Sequence, residues 1–185
     1  MRHARTSGRR SAAPLSGRRR SSDGQSLVEF SLVLMPLFFI LLGIIQFGFI
    51  FNSYVTLTNA VREGARTGTI YIYAASQSKA QNDLARNESI KTAVIASMNL
   101  LGKTSPHFTT TGTWLSSGLV YSNHDLVVTY VVPTGVTDTD ARVGEQVTVR
   151  ATYHQDLVIP LIGDLLPHDS GGRLALTSEV TMVVN

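Results

Sequence analysis

Gly24-Gln25-Ser26-Leu27-Val28-Glu29-Phe30 opens the stretch whose reading decides the fold. From Phe30 to Phe51 (FSLVLMPLFFILLGIIQFGFIF) 22 residues pass without a charge. At about 1.5 Å of helix rise per residue they would run roughly 33 Å, enough for a hydrocarbon core of ~30 Å. A buried helix of a soluble domain rarely needs that length. A cleaved secretory signal is the stronger rival, but its apolar region is usually only ~7–15 residues and ends in a small-residue site. No such site follows here. Glu29 stands at the mouth of the span, five residues after Gly24. A carboxylate costs ~2.5 kcal/mol or more at the centre of a membrane helix and less at its edge, which marks Glu29 as a functional candidate. Pro36, inside the span, removes one backbone donor and is expected to kink or loosen the helix.

Charge is divided unevenly around this stretch. The chain of 185 residues has a formal charge of +3, but residues 1–24 hold seven arginines against Asp23, a net of +6. Residues 25–185 hold nine Lys or Arg against twelve Asp or Glu, a net of −3. Arginines placed before an apolar span and free of aromatic neighbours follow the positive-inside rule, with the N-terminus cytoplasmic. Nucleic-acid binding, the other use of a basic tail, is the weaker reading. Without cysteine, disulfides and thiol chemistry are excluded.

Beyond Phe51 the helix is expected to continue to Ile70. Ala60, Gly64 and Gly68 recur every fourth residue, leaving one stripe with almost no side-chain bulk. Such a stripe either admits another backbone or simply ends in a helix stop at Gly68. A second, amphipathic helix is predicted from Asn87 to Leu101, with Asn87 as cap, Gly102 as stop and Ile90, Val94, Met98 and Leu101 as its apolar face. Ser76–Arg86 is polar and reads as loop or irregular helix. After Phe108 the period changes to two. Leu126–Val132, Gln146–His154 and Arg173–Met182 alternate as strands, with a shorter strand near Thr113–Tyr121. Helices followed by strands predict an α+β fold with a C-terminal antiparallel sheet. The expected organisation is a basic leader (1–24), a transmembrane helix with an extracytoplasmic extension (25–70) and an extracytoplasmic α+β domain (71–185). Leu157–Leu166 is too apolar for an ordinary loop. Packing on the core is its first reading, with a membrane surface or a partner as alternatives.

Catalytic signatures are missing. No Gly-x-Ser-x-Gly, P-loop, dinucleotide or H-E-x-x-H pattern occurs, and the five histidines are scattered. Asp138, Asp140 and Glu145 match no EF-hand spacing. Only a cleft gathering Asp156, Asp164 and His168 would suggest a hydrolase. Arg62, Glu63 and Arg66 read as a solvated or subunit-facing charge cluster. The chain reads as a non-enzyme without cofactor or metal.

Gly24-Gln25-Ser26-Leu27-Val28-Glu29-Phe30, the apolar span and Thr58-Asn59-Ala60-Val61-Arg62-Glu63-Gly64-Ala65-Arg66 together resemble the TadE-like family, pseudopilins of the bacterial tight-adherence (Tad, or Flp) pilus. Val147–Tyr153, Ile159-Pro160-Leu161-Ile162 and the last strand resemble it more loosely. The resemblance implies a pilin-like fold and cleavage between Gly24 and Gln25 by a prepilin peptidase. Glu29, then the fifth residue of the mature chain, would pair with the N-terminal amine of a neighbouring subunit. Glu29-Phe30 suits a minor subunit better than the main fibre protein. The implied partners are the peptidase, other pseudopilins and pilin subunits, and the assembly platform of the inner membrane. An uncut, bitopic binding or assembly module is the alternative.

Overall fold

The computed structural model describes residues 22–105, 108, 112–159 and 166–185. A single helix, α1 (Ser22–Thr69), takes up 48 of them and runs through Pro36 without interruption. The chain divides into two compact units between Ile40 and Leu41. In the first, the described residues are the N-terminal part of α1; all other elements belong to the second.

The second unit is a five-stranded antiparallel meander covered on one face by helices. Its strands β1 (Leu115–Ser117), β2 (Val120–Asn123), β3 (Leu126–Val131), β4 (Gln146–Asp156) and β5 (Arg173–Val183) lie in sequence order. Two-residue turns join β1 to β2 and β2 to β3; Gly118 supplies a φ of 62° in the first and His124 one of 53° in the second. Alternation sets the buried face: Leu126, Val128 and Tyr130 from β3, then Val147, Val149, Ala151 and Tyr153 from β4. The other face carries cross-strand polar pairs, among them Thr148–Thr181 at 2.8 Å and Arg150–Glu179 at 2.6 Å. The register puts Val147 beside Met182 and Val149 beside Val180, so β5 extends the same apolar surface.

Two helices close the core. Leu57, Ala60, Val61 and Ala65 of α1 and Ile90, Val94 and Met98 of α2 (Lys79–Met98) are all fully buried. The start of α2 corrects the sequence reading. The helix begins eight residues before Asn87, because Ser78 and Gln81 form a capping box in which each side chain bonds the other's backbone N–H. Asn87 is an interior residue whose Oδ1 accepts the Tyr130 hydroxyl at 2.7 Å. The C-terminal stop also differs: Asn99, with φ of 52°, breaks the helix, and a short α3 (Leu100–Thr104) contains Gly102.

Of the polar residues before Asn87, Asn82, Asp83 and Arg86 are buried, while Ser76, Gln77, Ser78 and Gln81 stay exposed. Asp83 accepts two hydrogen bonds from Arg142, at 2.6 and 2.7 Å, and a third from the Tyr121 hydroxyl at 2.8 Å. Arg142 also donates to Glu145 at 2.7 Å and lies 4.3 Å from the Tyr130 ring centroid. Burial works against the Arg142 charge, but its hydrogen bonds to Asp83 and Glu145 outweigh that and raise the pKa above its ordinary value. Burial, reinforced by Asp83, pushes the Tyr121 hydroxyl up to about 12. This cluster fastens α2 to the β3–β4 connection.

Candidate functional site

The head of α1 gathers four of the residues singled out in the sequence. Gly24, Gln25, Glu29 and Phe30 all lie within the helix and are exposed. Gln25 and Glu29 are one turn apart, and the Gln25 amide donates to the Glu29 carboxylate at 3.1 Å. Among the described residues no cation approaches Glu29. Behind it the helix presents apolar side chains all round: Phe30, Leu32, Phe38 and Ile44 are each more than half exposed. None of its most apolar 18-residue stretch is buried, and by length and composition the helix can cross a membrane.

Further along α1, Ala60, Gly64 and Gly68 are buried. A methyl group added at Gly64 would run into Val94 Cγ2, and one at Gly68 would come within 2.8 Å of Ile90 Cδ1. The backbone of α1 thus sits directly against the apolar face of α2, and the helix ends one residue after Gly68. Arg62, Glu63 and Arg66 occupy the outer side, with Arg66 and Glu63 3.6 Å apart in solvent.

Gln46 joins α1 to the chain just beyond β4. A polar interruption of the apolar span, it is fully buried. Its Oε1 accepts the backbone N–H of Val158 at 3.0 Å, just beyond the end of β4. Ser53, also buried, donates to Gln155 Oε1 at 2.5 Å. Two polar residues seven apart on a helix face were the available signal. Val158 is 67% exposed, so this part of the Leu157–Leu166 segment does not sink into the core; residues 160–165 lie outside the described residues.

The acidic and histidine residues form structural pairs. Asp138 pairs with Lys79, Glu145 with Arg142, and Asp156 with Arg173 at 2.8 Å. The Lys79 hydrogen bond holds Asp138 below the ordinary carboxylate range, while burial raises Glu145 above it. His154 lies 2.9 Å from Asp169 and 3.6 Å from Asp125. The Arg173 backbone N–H, with further bonds from Gly171 and His154, holds Asp169 low. Asp164 and His107 lie outside the described residues. Among the described residues no three His, Asp or Glu side chains form a potential metal cluster.

No curated protein and no solved structure matches the chain. A family model does match: that of the TadE-like proteins, over residues 24–66. The matched segment begins at Gly24, contains Glu29 and the whole apolar span, and ends in the helix extension that packs against α2. An apolar helix able to span a bilayer and this match together point to a membrane protein associated with the Tad pilus. Over residues 24–66, its N-terminal helix, the chain is TadE-like.

Proposed function

We propose that this chain is a minor, non-enzymatic pseudopilin of a bacterial tight-adherence pilus. It is anchored in the inner membrane by α1, with the basic N-terminus cytoplasmic and the α+β domain outside. The observation that carries this reading is the coincidence of three features in one segment. The family match starts at Gly24, Glu29 stands exposed one turn beyond Gln25, and the helix behind it is long and apolar enough to span.

The chemistry follows from the position of the carboxylate. A prepilin peptidase cuts after Gly24, which removes the arginine-rich leader and leaves an ammonium on Gln25. A carboxylate entering the bilayer needs a charged partner, and the new ammonium of a neighbouring subunit meets that need. Glu29 is then the subunit-assembly residue, and Phe30 packs beside it. Ala60, Gly64 and Gly68 serve helix packing. The partners are the peptidase, other pseudopilins, pilin subunits and the assembly platform. A second reading, an uncut bitopic module, draws support from the continuous helix across Gly24–Gln25, since a peptidase needs its scissile bond locally opened.

Replacement in the native organism tests the proposal. Chains carrying Glu29→Gln should reach the membrane at normal abundance, be cut normally and lose pilus assembly together with cross-linking to other subunits. Full piliation with Glu29→Gln would contradict the proposed role of the carboxylate.

A further inference from the structure

The two hydrogen bonds between α1 and the end of β4 fix a direction. Gln155 is held beside Ser53, and Val158 beside Gln46. Seven residues of helix rise about 10 Å, and three residues of extended chain cover the same distance of about 10 Å. The chain leaving β4 therefore runs along α1 towards the helix N-terminus, towards the apolar span. Phe51, the last residue of that span, lies between the two levels. Val158 is tethered at Gln46, about 7 Å past Phe51 on the apolar side.

At that level α1 presents only apolar side chains to its surroundings. Ile45, Phe47 and Phe49 are 45%, 59% and 51% exposed, and Val158 beside them is 67% exposed. Leu157 and Ile159 are half-buried. Asp156, the nearest charge, precedes them and pairs with Arg173. Tyr54, 46% exposed one turn beyond Phe51, supplies the aromatic ring common at a membrane–water boundary. Gln46 itself would be a poor lipid-facing residue; it is buried, and the Val158 backbone N–H donates to its Oε1.

We propose that Leu157–Val158–Ile159 is a second membrane contact, seated in the outer boundary of the bilayer beside α1 with the Val158 side chain among the acyl chains. The partner surface is lipid, and the segment fixes how deeply the folded domain sits on the membrane. The inference rests on the reading of α1 as a membrane-crossing helix, and its test separates the two.

The chain has no native cysteine, so single cysteines can be introduced without background. The full-length protein carrying Val158→Cys, Phe38→Cys or Ser116→Cys is labelled with a polarity-sensitive fluorophore and reconstituted into phosphatidylcholine–phosphatidylglycerol vesicles. Lipids bearing a quencher near the headgroup end of the acyl chain or at its middle are then compared. Labels at 158 should lose emission to the shallow quencher, and labels at 38 to the deep one, while 116 on exposed β1 stays bright. Quenching at 38 with 158 as bright as 116 would overturn the membrane contact and leave the anchor intact. No quenching at 38 would overturn the anchor and the inference with it.

Discussion

At the scale of single residues, Gly64 and Gly48 make a matched pair within one helix. A methyl at Gly64 collides with Val94, whereas one at Gly48 meets nothing within 4 Å. Overpacking typically costs ~1–3 kcal/mol, while an alanine in place of an unconstrained helical glycine gains up to ~1 kcal/mol. Gly64→Ala should therefore lower the melting temperature of the detergent-solubilised protein and Gly48→Ala should not. Equal effects would mean that the close approach to α2 contributes nothing. Asp169 allows a second test. Its carboxylate is held low by backbone N–H groups, so the folded state binds that proton less readily than the unfolded chain. The stability it contributes is complete above the ordinary carboxylate range and is lost as pH falls through the lower folded value. Asp169→Asn keeps an acceptor for the turn but removes the titration. Its melting temperature should fall less steeply with acid than that of the parent chain.

At the scale of elements, α2 depends on a cap and on buried charge. Ser78→Ala removes the capping acceptor, and such losses cost ~1 kcal/mol. Asp83→Ala should be far worse, because it leaves Arg142 buried without its main partner, a class of change costing ~3–5 kcal/mol. Thermal unfolding of the two variants should rank them in that order, and an Asp83→Ala chain as stable as Ser78→Ala would contradict the cluster's role. Glu145 carries the opposite sign to Asp169. Raised by burial, it holds its proton more readily when folded, so its ionisation opposes folding above the raised value and the strain is relieved as pH falls. These elements also show what the sequence could convey. Alternation over Gln146–Tyr153 marked β4 because one face of the sheet is apolar and the other is threonine and arginine. The beginning of α2 lies earlier than local sequence suggests, because Asp83 and Arg86 look like loop residues and Asn87 like a cap until Arg142 and Tyr130 arrive from more than forty positions away. The local signal, Ser78 followed by Gln81, was present but weak within a stretch that is polar almost throughout.

At the scale of the whole molecule, the α+β order of elements and the apolar helix were legible because both rest on periodicity and length. The candidate residues at the head of α1 rest on a motif, since their local surroundings do not distinguish them: the hydrogen-bond partner of Glu29 among the described residues is Gln25, one turn away. Gln46 and Val158 were illegible for the opposite reason, because their meaning lies in a contact 112 positions long. The proposed function requires α1 to be a prepilin-type helix, made with a basic leader and matured at Gly24. Intact-mass measurement with N-terminal sequencing, on chain purified from membranes of cells with an active prepilin peptidase, tests it most directly. The expected product is a mature chain starting at Gln25, and a full-length chain when Gly24→Ala is introduced. A chain that keeps its arginines in such cells, or one that starts beyond Phe51, would contradict it.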